Sequence, residues 1–304
     1  MDYKSNHNTM KIDRVFKQTL KDILSEEWEE QSRAKYKDGS PVRVKRVLQV
    51  FNTYNLQEEF PLGSIRPVPL HNAIKEVLWI WQKKSVDTKE LGLKIWDAWS
   101  DEDGYIKGCY ADMVKRPVAL SREWKEGLTP LFIDGIDNKM PVYGLKDQTD
   151  FLLYEITHNR SSRRIVASMF DPESNNIKPL QECAFQIQLS VKNGFLHMTL
   201  YQRSCDFITA FLWNTAQYAA LLMMFAHHAG LEPGNFSHFI GDCHIYDRHE
   251  KQALQLLERE DNFTIPSVAI SKRMTLLWFY DFKSEDFILD NYNPGENVQF
   301  EVAI

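Results

Sequence analysis

Cys183-Ala184-Phe185-Gln186-Ile187-Gln188-Leu189-Ser190-Val191-Lys192-Asn193-Gly194-Phe195 opens the stretch that decides the fold, and it runs on to Gln202-Arg203-Ser204-Cys205-Asp206. Phe185, Ile187, Leu189 and Val191 alternate with Gln186, Gln188 and Ser190, the period-2 pattern of a strand with one buried face. Lys192-Asn193-Gly194 is turn chemistry, so Phe195 to Gln202 reads as the returning strand of a hairpin. Leu180-Gln181-Glu182-Cys183 stands at the mouth of the first strand and Arg203-Ser204 near the end of the second. A thiol and an anion-binding guanidinium are therefore set at one end of one hairpin.

On the N-terminal side, Met10 to Gln31 carries Ile12, Val15, Phe16, Leu20, Ile23 and Leu24 at helical spacing. Arg33 to Gly39 reads as a loop and Val42 to Phe51 as extended. Leu70 to Lys84 reads as a second helix, with Glu76 beside its apolar stripe, either as a solvated flank residue or as an acid at a pocket edge. Asp101 to Lys146 lacks clean periodicity apart from a short strand at Leu131-Phe132-Ile133, and is expected to be loop-like. Asp150 to Asn159 reads as helix and Ile165 to Phe170 as extended. Asn214 to Ala229 is apolar nearly all round and closed by Gly230, the mark of a core helix. Arg248 to Arg259 is helical, and Asn297 to Ile304 is an extended apolar tail. Helices around a mainly antiparallel or mixed sheet make an α+β fold, with neither a Gly-rich βα fingerprint nor a Walker A loop.

Composition narrows the function classes. The 304 residues, 43% hydrophobic and 26% charged, belong to the globular class, and the net charge of −6 does not favour a dedicated nucleic-acid partner. Cys109, Cys183, Cys205 and Cys243 form no CxxC pair, which argues against a disulfide scaffold or structural zinc and for a reducing compartment. Met1 to Met10 has no apolar signal core, and Tyr218 to Ala229 is too short to span a bilayer. A cytoplasmic protein without a membrane partner is expected.

Several residues carry two readings. Cys183 is either a small buried hydrophobe or, if Arg203 approaches and lowers its pKa, a nucleophile. Arg163-Arg164 is either a solvated turn or, with Arg203 and Ser204, a set of donors for phosphate oxygens. The run from His238 to His249 contains three histidines. Alternation puts His244 and Tyr246 on one face as hydrogen-bonding groups for a polar ligand, and no metal is expected. Trp96 and Trp99 share a helical face, suited to core packing or to a flat heterocycle. Asn214 is either the N-cap of the core helix or an amide presented to a uracil-like ring.

Taken in order, Glu76-Val77-Leu78-Trp79, Ile95-Trp96-Asp97-Ala98-Trp99, Ser162-Arg163-Arg164, Gln202-Arg203-Ser204-Cys205-Asp206, Trp213-Asn214, Gly241-Asp242-Cys243-His244-Ile245-Tyr246 and Val302-Ala303-Ile304 resemble the folate-dependent, cysteine-using thymidylate synthase family. The resemblance covers most of the chain. It implies one domain over 1–304 and a homodimer in which large mixed sheets pack back to back. The implied partners are dUMP and the co-substrate 5,10-methylenetetrahydrofolate, with no metal. Cys183 would add to C6 of dUMP, Glu76 would move protons at O4 through ordered water, and a tyrosine would remove the C5 proton. Arg203, Asp206 and Asn214 complete the implied catalytic set. Arg33, Arg203 and Ser204 would hold the phosphate, joined across the interface by Arg163 and Arg164. Gln202, Asp206, His244 and Tyr246 would surround the nucleotide, and Asn214 would read the uracil edge. The folate would rest near Trp96, Trp99, Leu180, Asp206, Ala210 and Trp213, with Ala303 and Ile304 closing over it.

The chain departs from the family words in four places. Pro-Cys-His is here Glu182-Cys183-Ala184, and Leu-Gly-x-Pro-Phe-Asn is Thr209-Ala210-Phe211-Leu212-Trp213-Asn214. The catalytic tyrosine is Tyr110 by spacing from Asp103-Gly104, although Tyr143 sits in more family-like words. The stretch 111–146 reads as substituted or inserted. These departures keep two other activities in view: a deoxyuridylate hydroxymethylase, in which water replaces hydride, and a catalytically weak nucleotide-binding homologue.

Overall fold

A six-stranded sheet has the expected hairpin on one side of its centre. In the computed structural model, residues 11–123, 125–131, 142–173, 178, 180–260, 264–271 and 278–301 are described. In chain order the elements begin with helix α1 (Lys11–Leu24), strands β1 (Glu29–Lys35) and β2 (Pro41–Asn55), and helices α2 (Leu70–Leu78), α3 (Thr88–Leu91) and α4 (Tyr110–Val114). Strands β3 (Val118–Ser121), β4 (Thr129–Leu131) and β5 (Val142–Leu145) follow, then helix α5 (Gln148–His158) and strands β6 (Val166–Ser168), β7 (Ala184–Lys192) and β8 (Phe195–Asp206). Helix α6 (Phe207–His228), strand β9 (Glu232–Tyr246), helix α7 (Glu250–Glu258) and strands β10 (Ser267–Ile270) and β11 (Phe287–Asp290) complete the chain.

The large sheet has the order β1-β2-β9-β8-β7-β6. Strands β8 and β9 run parallel and the other neighbours antiparallel, so the sheet is mixed, as the patterning anticipates. The β7–β8 turn places Asn193 and Gly194 at φ +54° and +83°, the left-handed pair that an Asn-Gly turn accommodates at low cost. A parallel pair needs a crossover, and α6 supplies it, packing on β8 and β9 with α2 alongside. By length and composition α6 resembles a membrane span, yet Leu212, Ala216, Ala219, Leu222 and Phe225 are wholly buried in the core.

Four sequence expectations change. Helix α1 stops at Leu24, and residues expected to be helix and loop form the edge strand β1, because pairing of Glu29, Glu30 and Gln31 with Val44, Arg43 and Val42 overrides local propensity. The helix expected over 70–84 is α-helical to Leu78, then makes a π turn over Trp79–Lys83 and ends at Lys84 with φ +53°. Helix α6 begins at Phe207 and not at Asn214. Its N-cap is Asp206, whose carboxylate accepts from the Thr209 N–H at 3.5 Å, so the capping role expected for Asn214 falls away. Within the stretch expected to be loop, α4 and an antiparallel β3-β5-β4 sheet form. Of the strand expected at Leu131 to Ile133, Leu131 lies in β4 and the rest lies outside the described residues.

Candidate active site

Cys183 lies immediately before β7, half-buried, with its backbone carbonyl accepting from the Arg203 N–H at 2.8 Å. The Arg203 side chain turns back over the same point. Its Nη2 donates to the Gln181 carbonyl at 2.9 Å and reaches the Cys183 Sγ at 3.6 Å, while Nε donates to the Glu182 carbonyl at 3.0 Å. The convergence expected across the hairpin is present, but its electrostatic consequence differs. Burial pushes the Cys183 thiol up, Arg203 pulls it down, and the Glu182 carboxylate pushes it up again, with burial the largest effect. The resting group is therefore mainly thiol, and Arg203 limits the cost of ionising it.

Tyr110, the first residue of α4, touches this centre directly. Its Oη accepts the backbone N–H of Cys183 at 2.8 Å and that of Ala184 at 3.3 Å. Tyr143 sits instead in β5, paired with Pro130 of the small sheet. Burial beside Cys183 holds the Tyr110 phenol well above its usual range. Its ring meets Trp96 edge-on at 5.8 Å, and Trp96 meets Trp99 edge-on at 6.0 Å.

Glu76 closes the aromatic wall. Its Oε1 accepts from Trp96 Nε1 at 3.1 Å and its Oε2 from Trp213 Nε1 at 2.6 Å, so it is a buried acid and not a solvated flank residue. Burial raises its pKa to about 7, against the pull of the two indole donors. An acid with that pKa is ready to give or take a proton near neutrality. The N-cap Asp206 and, on α6, Ala210, Trp213 and Asn214 are half-buried among buried neighbours, a spacing that puts them on one face at the start of the helix. Leu212 lies on the other side, where a Cβ added to Gly63 would stand 2.6 Å from its Cδ2. Of the altered residues expected near the folate, Ala210 and Trp213 share the open face and Leu212 belongs to the core.

A polar relay orients Asn214. Gln202 Nε2 donates to the Ser204 carbonyl at 2.9 Å and to Asn214 Oδ1 at 3.2 Å. Gln202 Oε1 meets Nε2 of the fully buried His238 at 2.9 Å, and burial depresses the His238 pKa to about 3, so the ring is neutral. A neutral ring facing an amide oxygen carries its proton on Nε2. That fixes the Gln202 amide and, through it, leaves the Asn214 Nδ2 as donor, with Gln217 Oε1 at 3.5 Å.

The parallel register of β8 with β9 sets Ser204 beside Asp242 and Asp206 beside His244. His244 Nδ1 bonds Asp242 Oδ1 at 2.8 Å, Asp242 is held by Arg46 at 2.9 Å, and the His244 and Tyr246 rings meet at 5.2 Å. Gly241 permits this closeness, because a Cβ there would stand 2.9 Å from the Arg203 carbonyl.

The remaining expected residues lie elsewhere. Arg163 and Arg164 are exposed between α5 and β6, and among the described residues neither side chain bonds to the Cys183 centre. Arg164 also lines a cavity of about 520 Å³ between α5 and β3, apart from Cys183. Leu180 is half-buried, and its carbonyl accepts from Cys109 Sγ at 3.1 Å. Arg33 is in β1 with its side chain outside the described residues, as are Ala303 and Ile304 altogether. Sequence reading missed His238, Asp242 and Arg46, which act through neighbours, and Arg66. The Arg66 Nη2 donates to the Thr209 carbonyl at 2.8 Å, and among the described residues its buried Nε has no hydrogen-bond partner. Among the described residues no group of three His, Cys, Asp or Glu side chains is placed to hold a metal.

A thiol ringed by a guanidinium and a phenol, with a buried acid between indoles and a fixed amide nearby, is a constellation for nucleophilic chemistry on a polar, planar substrate. The thymidylate synthase family model matches residues 14–304, and the chain belongs to that family. It is 34% identical over 295 residues to the thymidylate synthase of Bacillus mojavensis, covering 95% of this chain and 96% of that one. It is 33% identical over 301 residues to thymidylate synthase 1 of Bacillus subtilis strain 168, covering 96% and 99%. Among solved structures, thermostable thymidylate synthase A from Bacillus subtilis superposes with a TM-score of 0.81 at 31% identity, over 97% of this chain and all of that one.

Proposed function

We infer that this enzyme converts dUMP to dTMP, with 5,10-methylenetetrahydrofolate as one-carbon and hydride donor and dihydrofolate as by-product. The observation that carries the reading is the Arg203 guanidinium at 3.6 Å from the Cys183 thiol, with the Tyr110 hydroxyl on the Cys183 backbone N–H, in a chain matched almost end to end by this family. Cys183 adds through Sγ to C6 of dUMP, so the 5,6 double bond opens and negative charge spreads over C5, C4 and O4. Glu76 serves the proton movements at O4. C5 would take the carbon that the folate supplies, Tyr110 would relay the C5 proton by accepting it as its own passes onward, and Sγ would leave C6 as hydride reaches that carbon, restoring the double bond.

Substrate recognition follows from the same residues. Arg203 and Ser204 receive the phosphate with Arg33, His244 and Tyr246 take the ribose hydroxyl, and Gln202 and Asp206 line the nucleotide. Asn214 bonds the uracil edge, its free N–H complementing O4. The folate fits the donor set: Trp96, Trp99 and Trp213 offer flat apolar walls beside Leu180, Asp206 and Ala210, and the Arg66 Nε, without a hydrogen-bond partner among the described residues, offers a buried N–H. When bound there, it supplies the carbon and the hydride. Ala303 belongs to the tail assigned to cover it.

Assembly as a homodimer is supported by the sheet face turned away from α6. Leu48 and Phe51 on β2 are 60% and 58% exposed, and Phe51, Phe239 and Tyr201 stand in one cross-strand row. Back-to-back packing would cover that row and bring the exposed Arg163 and Arg164 to the neighbouring phosphate. The four cysteines are free, which accords with a cytoplasmic setting.

The deciding experiment supplies dUMP and methylenetetrahydrofolate and identifies both products. dTMP with dihydrofolate supports this reading. Hydroxymethyl-dUMP with tetrahydrofolate would transfer the chain to the hydroxymethylases, and tight dUMP binding without turnover would make it a binding homologue.

A further inference from the structure

We propose that Lys178 and Glu182 are positioning residues for the reaction: their buried ion pair holds the segment bearing Cys183 in register with the segment bearing Tyr110. Glu182, standing where the family words of the resemblance read proline, is wholly buried, and the Lys178 Nζ bonds both its oxygens, at 2.8 and 2.7 Å. The same ammonium donates to the Gly108 carbonyl at 3.0 Å. One residue beyond Gly108 and two beyond Lys178, Cys109 Sγ donates to the Leu180 carbonyl at 3.1 Å, and further along the Tyr110 Oη accepts from Cys183 and Ala184. Lys178, Leu180, Cys183 and Ala184 are thus fastened rung by rung to residues 108–110, and the ion pair is the first rung.

The arrangement answers a local problem. Proline fixes its own φ and stiffens the approach to a nucleophile, whereas glutamate leaves that backbone free. A bidentate, charge-assisted pair with a third bond to a carbonyl restores the constraint from the side chains. The pair also has an electrostatic cost to the site, since the Glu182 carboxylate opposes ionisation of Cys183 while Arg203 favours it. Lys178 partly neutralises that carboxylate. Asp171, held by Arg116 at 3.1 Å, is the other acid acting on Glu182, and Tyr110, Cys205 and Tyr246 are the other titratable groups acting with Cys183.

The inference rests on the assignment of Cys183 and Tyr110, and its test separates the two. Glu182→Gln removes the opposing charge, so alkylation of Cys183 by iodoacetamide should begin at lower pH than in the wild-type enzyme. Turnover should nevertheless fall about tenfold with little change in KM for dUMP, because alignment is lost. A thiol that becomes easier to ionise while kcat drops is a signature that loss of stability alone would not produce. Lys178→Met with Glu182→Leu removes both charges together and keeps the site folded, and it should show the same fall in kcat at a Tm close to wild type. Wild-type kcat in both variants overturns the inference. If Cys183→Ala is also as active as wild type, the assignment of the nucleophile has failed instead.

Discussion

The hydroxyl of Tyr110 accepts hydrogen bonds from two successive backbone N–H groups, those of Cys183 and Ala184. The phenol that is assigned the C5 proton is therefore built into the backbone that presents the proposed nucleophile, and the two N–H groups favour negative charge on its oxygen. Tyr110→Phe leaves both donors buried and unsatisfied. It should cost about 1–3 kcal/mol of stability and lower dTMP formation by a factor of about 100. Tyr143→Phe should stay within about twofold of wild type, since its ring belongs to the small β3-β5-β4 sheet. Thermal melts and steady-state rates of the two variants check this.

Glu76 ties stability to pH with a definite sign. Its pKa is raised by burial, so between about 4.5 and 7 the folded chain holds a proton that the unfolded chain has released. Stability from this group is fully present below that window and is lost as pH rises through it, by ~3 kcal/mol in all. Glu76→Gln, which cannot ionise, should gain in Tm relative to wild type on going from pH 5 to pH 8. The same variant should lose turnover about a hundredfold.

Asn214→Asp preserves the acceptor for Gln202 and deletes the free N–H. Turnover of dUMP should fall by at least about tenfold, and the ratio of dCMP to dUMP binding should rise. Competition binding of the two nucleotides measures the change directly. An unaltered ratio would remove Asn214 from the uracil edge.

Gly241→Ala forces a Cβ against the Arg203 carbonyl, and backbone cannot yield there without moving β8 against β9. The expected outcome is a folded protein destabilised by about 1–3 kcal/mol, with weakened dUMP binding as Arg203 leaves the phosphate. Isothermal titration with dUMP tests it.

Mixing two inactive variants tests the dimer. Cys183→Ala chains lack the nucleophile, and Arg163→Ala/Arg164→Ala chains lack the arginines. If the proposed dimer forms, refolding them together should give mixed dimers with one complete site, and roughly a quarter of wild-type activity should return. Leu48→Lys/Phe51→Lys chains should sediment as monomers and be inactive.

The hairpin was readable in the sequence because alternation and Asn193-Gly194 are local signals that need no tertiary partner. Cys183 and Arg203 were readable for the same reason, being joined through a single turn. Edge strand β1 was not, because Glu29, Glu30 and Lys35 show no apolar face and its pairing with β2 decides its form. The start of α6 was obscured because Asp206 ends a strand and caps a helix at once, so no polar gap separates β8 from α6. The Gln202–His238 relay depends on the register of β8 and β9, which no local pattern specifies. The sign of the Cys183 shift required knowing how deeply the thiol is buried and where Glu182 lies, neither of which follows from spacing.

The Cys183 sulfur is assigned the first step of dTMP formation. Wild-type and Cys183→Ala proteins, each saturated with dUMP and methylenetetrahydrofolate, should be followed for dihydrofolate and dTMP in one time course. Equal amounts of both products are expected from the wild type and none from Cys183→Ala, with dUMP binding by the variant retained within about tenfold. Formation of dTMP by Cys183→Ala at the wild-type rate would contradict it.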